Sequence, residues 1–240
     1  MSHIPVLLKE VISGLELEKG MTVLDATLGG GGHSREICKI IGKDGILIGL
    51  DRDEAAVARV GKIIEDECNS HLFVSNFKDL ADVLSGLGIC SINAALFDLG
   101  LSSFQIDDSG RGFTFKKDEP LLMTFEKERG PDELTAEEVV NEWDENNIAD
   151  VVYAYGGERF ARRIAKSIVL ARKEKRIKTT FDLVSAIEKA VPALYKRRKI
   201  HFATKTFQAI RMVVNDEVGS LRMGLNGVWD KICVGGRIAV

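Results

Sequence analysis

Cysteine is scarce in this 240-residue chain, and the four that occur, Cys38, Cys68, Cys90 and Cys233, stand far apart. No CxxC pair and no histidine at metal-ligand spacing accompanies them, so the sequence signals neither a zinc site nor a disulfide framework and predicts no metal. The reading is a protein of the reducing cytoplasm. Long apolar runs are missing too: Lys9 and Glu10 interrupt the apolar stretch 4–8, and nowhere do about 18 apolar residues follow one another, which argues against a signal peptide and a membrane span. Internal repeats and low-complexity tracts are absent. With 45% of its residues hydrophobic, the chain can still bury a sizeable core, which excludes disorder and leaves room for one large domain or two small ones.

A net charge of −3 hides an uneven distribution. Residues 155–211 carry 16 Lys and Arg against 4 Asp and Glu, a net of +12, while the rest of the chain stands at −15. Such asymmetry points to a polyanion as partner of one part of the molecule.

Three short apolar runs, 23–25, 45–51 and 92–98, each end in aspartate (Asp25, Asp51, Asp98), and segments with helical spacing (55–64, 80–87) lie between them. This β-α-β alternation predicts a parallel sheet covered by helices, whose ligands bind at the carboxyl ends of the strands, where the aspartates sit. From 107 onward the signals turn helical. Thr135, Ala136, Glu137 and Glu138 form a capping-box pattern; Phe160, Ile164, Ile168 and Ala171 make an apolar stripe; a second amphipathic segment follows Thr179 and Thr180. A helix over 217–229 and a strand over 235–240 return to the first pattern. The expectation is an α/β domain formed by 1–106 and 207–240, interrupted by a helical, basic insertion over 107–206.

The stretch DATLGGGGHS (25–34) follows the first strand directly. A glycine-rich turn between strand and helix lets backbone approach a ligand closely, and an acid about 20 residues on, here Asp51, suits a ribose diol. Dinucleotides and S-adenosylmethionine are both bound this way. The dinucleotide fingerprint needs a third glycine where this chain has Ser34 and Arg35, and an aspartate ending the strand suits a cofactor bearing an ammonium and a sulfonium better than a pyrophosphate, so S-adenosylmethionine is favoured.

Several motifs now stand in order along the chain: HIPVLL (3–8), DATLGGGGHS (25–34), IGLDRD (48–53), SNF (75–77), DLGLSSFQIDD (98–108), RGFTF (111–115) and TFQAIR (206–211). Together they resemble the RsmH (MraW) family, bacterial methyltransferases that act on the exocyclic N4 amine of a cytidine in 16S ribosomal RNA. The resemblance runs from His3 to the end of the chain. It implies a Rossmann-like class I methyltransferase sheet with an inserted helical domain, S-adenosylmethionine as cofactor, and ribosomal RNA, within the small subunit, as partner. It further implies cofactor contacts at Gly31, Gly32, His33, Asp51, Phe77, Asp98 and Gln105. The sequence departs from the family pattern at Gly30, where Arg is frequent, at Leu122, Thr124 and Phe125, where an acid and a base of one loop are lost, and at Phe202 and Lys205, where Pro and Arg are usual. The family pattern also continues past Val240, so this chain reads as ending in mid-strand.

The reaction implied is direct attack of the amine on a sulfonium methyl, which asks the site chiefly to hold donor and acceptor close. None of Pro5, Pro120, Pro131 and Pro192 precedes a cysteine, so the Pro-Cys nucleophile of pyrimidine carbon-5 methyltransferases is missing, as is the Asp/Asn-Pro-Pro-Tyr motif of many amino-methyltransferases. By position Asp98 is the candidate proton acceptor, with ion pairing to the cofactor as its other role. Reaching a cytidine amine requires an unstacked base and a firm hold on the RNA backbone. Arg162, Arg163, Lys166, Arg197, Arg198, Lys199, Lys205 and Arg211 are the candidate RNA contacts, and the run 172–178 reads equally as a solvated helix face. A methyltransferase of a protein or small molecule, and a non-enzymatic RNA-binding assembly factor, are the competing readings. Whether the chain acts as a homodimer is left open.

Overall fold

The computed structural model describes residues 5, 7–100, 109–125 and 133–240. The chain divides into two compact units, 1–102 with 218–240, and 103–217. The first is built from α1 (Leu8–Gly14), β1 (Thr22–Asp25), α2 (Gly32–Ile41), β2 (Ile46–Asp51), α3 (Glu54–Ile64), β3 (Asn69–Val74), a 3-10 turn (Phe77–Asp79), α4 (Leu80–Gly86) and β4 (Ile92–Leu96), then α11 (Glu217–Trp229) and β5 (Ile232–Ala239). Its sheet has the order β3-β2-β1-β4-β5 with every pair parallel, the Rossmann-like arrangement the sequence predicts.

Both faces of this sheet are covered, which is why its central strands read as unbroken apolar runs rather than alternating ones. On one face Val23, Leu47, Ala94 and Leu96 pack with Ile37, Cys38 and Ile41 of α2 and with Val60 and Ile64 of α3. On the other, Leu24, Ile48, Leu50, Ala95 and Phe97 meet Leu80 and Leu84 of α4 and Val228 of α11. Gly49 has to be glycine here, since a Cβ would lie 2.5 Å from Leu28 and 2.6 Å from Leu72. Cys38 and Cys68 are joined by a disulfide, which corrects the expectation of unpaired cysteines. Thirty residues separate them in sequence, but Cys38 on α2 and Cys68 at the entry to β3 pack into one core cluster with their Cα atoms 5.1 Å apart. No helix among the described residues is long and apolar enough to cross a membrane.

The second unit holds α5 (Ala136–Glu142), α6 (Glu145–Ala154), α7 (Ala161–Glu174), α8 (Thr180–Ala190), α9 (Ala193–Lys196) and α10 (Thr204–Val214). The capping box at Thr135 and Glu138 forms as its sequence pattern predicts, and a second one forms between Thr179 and Asp182. The stripe on α7 buries Ile164 and Ile168. Tyr195 donates its hydroxyl hydrogen to the fully buried carboxylate of Glu158, which also accepts from the N–H of Phe160; burial and this carboxylate push the Tyr195 phenol up to about 12. The segment 109–125 is fastened by side chains: Asn215 donates to the carbonyls of Met123 (2.7 Å) and Arg211 and accepts from the N–H of Phe125 (2.8 Å), and Glu119 accepts from the N–H of Gly112 (2.9 Å). This unit extends to 217, past the 206 read from the sequence, because α10 belongs to the helical cluster.

Candidate functional site

The turn after β1 is stapled to both neighbouring strands. The N–H of Ala26 donates to the carbonyl of Leu96, and that of Leu28 to the carbonyl of Leu50, so the glycine run begins from a fixed point at the carboxyl edge of the sheet. Gly29 and Gly31 adopt left-handed backbone, with φ of 49° and 79°, and Gly31 opens α2. The N–H of Gly29 donates to Oδ2 of Asp51 at 2.8 Å, and Oδ1 of Asp51 accepts from the N–H of Asp53 at 2.9 Å. On the other side of the turn, Arg59 of α3 donates to the carbonyl of Gly29 at 3.2 Å.

The four glycines do different things. A Cβ on Gly31 would come within 2.9 Å of Val60, and one on Gly32 within 2.2 Å of Pro5. These two are required by packing within the protein. Gly30 meets nothing within 4 Å, and Gly29 only a backbone oxygen at 3.9 Å, so that part of the turn lies open.

Three carboxylates surround the turn. Asp25 is buried, accepting from the Ser34 hydroxyl at 2.5 Å and from the N–H of Thr27 at 3.1 Å, and burial raises its pKa above the ordinary carboxyl value despite those bonds. Burial likewise raises that of Asp51, against the backbone donors at Asp53, Gly29 and Arg52. Asp98 is held by its own backbone, whose N–H donates to the Thr27 hydroxyl at 2.7 Å, and its side chain is 44% exposed. His33, in the first turn of α2, is only 6% exposed; its Nε2 stands 3.5 Å from Oδ2 of Asp98, and neither ring nitrogen makes a hydrogen bond.

The structure therefore brings Gly31, Gly32, His33, Asp51 and Asp98 to one edge of the sheet. Phe77 lies in the turn after β3 with its ring edge-on to Phe97, 5.8 Å between centroids, and its backbone and ring pack against Gly224. Gln105 lies outside the described residues. Sequence reading passed over Thr27 and Ser34, which fix Asp98 and Asp25. Ser34 sits nine residues from its partner, and the Thr27 hydroxyl meets a residue 71 positions away, so neither bond leaves a local signal.

An S-adenosylmethionine suits these residues. Open backbone at Gly29 and Gly30 admits a ligand, the Asp51 carboxylate offers an acceptor to a ribose hydroxyl, Asp98 offers an exposed carboxylate to a cation, and the unsatisfied buried imidazole of His33 faces the same place. A pyrophosphate would meet the acids Asp51 and Asp98 here.

In the second unit, Arg162, Arg163 and Lys166 are exposed on α7, opposite its buried stripe, and Arg197, Arg198 and Lys199 are exposed after α9, with the Arg198 guanidinium 5.0 Å from the Tyr195 ring centroid. Two others are engaged within the protein. Arg211 forms a two-point ion pair with Glu217 (2.6 and 2.8 Å), and Lys205 donates to the carbonyl of Gly157 at 2.8 Å. The run 172–178 leaves the end of α7 and is largely engaged within the protein: Arg172 bonds the carbonyls of Val140 and Trp143, Lys175 pairs with Asp182, and Arg176 with Glu137 and Glu142.

The model of the MraW methylase family matches residues 1–240. The chain is 45% identical, over 99% of its length, to a protein of Symbiobacterium thermophilum named ribosomal RNA small subunit methyltransferase H, covering 74% of that protein. It is 45% identical over 99% of its length to the protein of that name from Thermosipho africanus, covering 80% of it, and 39% identical over its whole length to that of Deinococcus radiodurans, covering 73%. A parallel sheet whose acids gather round an open glycine turn is thus found in a chain that matches one family from end to end, and the protein belongs to the MraW methylase family.

Proposed function

We propose that this protein transfers a methyl group from S-adenosylmethionine to the exocyclic N4 amine of a cytidine in 16S ribosomal RNA, within the small ribosomal subunit. The observation that carries the reading is the site itself, an open glycine turn tied to Asp51 with an exposed Asp98 beside it, in a chain of this family. Gly31, Gly32, His33 and Asp51 hold the cofactor, with Phe77 and Gln105 as further contacts implied by family likeness. When bound, that cofactor supplies an electrophilic methyl on a sulfonium.

The residues of the chain do the rest. The cytosine amine is a poor nucleophile because its lone pair is delocalised into the ring, so a nearby acceptor for the proton it sheds lowers the barrier. Asp98 is that acceptor: its carboxylate is exposed, its backbone is clamped by Thr27, and Nε2 of His33 stands 3.5 Å from its Oδ2. Arg162, Arg163, Lys166, Arg197, Arg198 and Lys199 contact phosphates, a role supported by their exposure and by the +12 charge of 155–211. Lys205 and Arg211 serve that surface by holding backbone and Glu217 in place. The proposed setting is the cytoplasm.

The test uses small subunits lacking the modification, S-adenosylmethionine labelled in its methyl group, and nucleoside analysis after nuclease digestion. Label in N4-methylcytidine is expected. Label in protein, or in no nucleoside while the cofactor binds, would overturn the reading.

A further inference from the structure

In the second unit four rings form a connected group that runs from the core outward. The root of the group is Phe207 on α10, 4% exposed, which meets Phe115 edge-on with 5.6 Å between centroids. Phe115 stacks on His201 at 4.4 Å and 10°, and His201 in turn meets Phe202 at 4.2 Å and 30°. No contact joins Phe115 to Phe202 among the described residues, so the two cover opposite faces of the imidazole. The result is a ladder that starts in the core and climbs to the surface, where His201 is exposed at its edge and Phe202 is half-buried.

Its surroundings point to one kind of occupant. Lys116 and Lys117 follow Phe115 in sequence, Arg198 and Lys199 precede His201, and all four are exposed. Nδ1 of His201 accepts from the N–H of Ala203 at 3.3 Å, which puts the proton of the neutral ring on Nε2 and leaves a donor there. Burial lowers the His201 pKa, in keeping with a neutral ring at pH 7. A rigid aromatic end, a hydrogen-bond donor and flanking cations are what an unpaired nucleobase and its phosphates require.

We propose that the Phe115–His201–Phe202 ladder is a stacking platform for one unpaired base of single-stranded RNA, taken on the outer face of Phe202. This rests on the RNA-substrate reading above and adds to it a second point of grip.

The experiment measures anisotropy of a short fluorescein-labelled single-stranded RNA of cytidines and uridines, and of the same backbone made abasic, with the full chain. F202A is expected to weaken binding of the base-bearing RNA about tenfold, as loss of one base–aromatic stack does, while leaving the salt dependence unchanged because no phosphate contact is lost. F202W should bind within about twofold of the original. On the abasic backbone the original and F202A should bind alike. Equal binding of F202A and the original to the base-bearing RNA overturns the platform and leaves the function standing, as does an equal loss on both RNAs. Should F202A not fold, the unaltered protein decides alone: it must prefer base-bearing to abasic RNA, and no preference overturns the proposal. Failure of the unaltered protein to bind either RNA sinks the function and the platform together.

Discussion

The backbone N–H of Gly29 donates to the Asp51 carboxylate at 2.8 Å, so the acid that ends β2 anchors the turn that follows β1. One side chain both shapes the glycine turn and lines the open space beside it. In D51N an amide replaces the acid; its one oxygen can serve only some of the backbone donors, and its NH2 faces the others. Isothermal titration with S-adenosylmethionine should show affinity reduced about tenfold or more. Unchanged affinity would remove Asp51 from the site.

Asp25 gives a pH-dependent signature. Its pKa is raised by burial, so between the ordinary carboxyl value and the raised one the folded protein holds a proton that the unfolded chain releases. Stability from this group is present at low pH and lost as pH rises through the raised value. D25N keeps an acceptor for the Thr27 N–H and gains a donor for the Ser34 hydroxyl without the buried charge. Its melting temperature relative to the original protein should therefore be highest near neutrality and fall back as pH drops toward 4. A relative advantage that grows on acidification would contradict the assignment.

Neighbouring glycines should behave oppositely. G31A forces a left-handed backbone on alanine and pushes its Cβ to 2.9 Å from Val60, which should cost about 1–3 kcal/mol in urea unfolding. G30A enters open space at an unstrained position and should stay within about 0.5 kcal/mol. Equal losses would mean that the turn is not divided as described.

Among the basic residues, exposure separates phosphate contacts from structural cations. R162A should lower the slope of log affinity against log salt by about 1 in RNA titrations, without changing the melting temperature. R211A removes the two-point partner of Glu217, so it should lower the melting temperature and leave that slope in place. A reversed outcome would reassign both.

The central strands β1, β2 and β4 and their ligand edge were legible because parallel strands covered on both faces must be continuously apolar and because these three runs end in an acid, whereas β3, half-exposed and starting Asn69-Ser70-His71, carries neither signal. Capping at Thr135 was equally plain, being a contact three residues long. What escaped the sequence was carried by long-range side-chain contacts: Thr27 to Asp98, Cys38 to Cys68, and Asn215 to the loop at Met123. Charge alone misled in a different way. Arg211, Arg172, Lys175 and Arg176 contribute fully to the positive count, yet their guanidinium and ammonium groups are held by Glu217, Glu137, Glu142, Asp182 and backbone carbonyls. Formal charge says nothing about which cations are already committed.

The pairing of β4 with β5 sets the timetable of synthesis. Asn93 meets Cys233 at a sequence separation of 140, because the whole helical insertion is translated between the two strands. Until β5 leaves the ribosome, β4 is an open sheet edge, and closing it must await a long excursion of the chain, which makes this step slow and the unfinished sheet prone to mispairing. Early folding of the helical unit would shorten that excursion by holding the two ends of the insertion in one compact body. The insertion would then serve the nascent chain as a folding clamp before it ever meets a substrate.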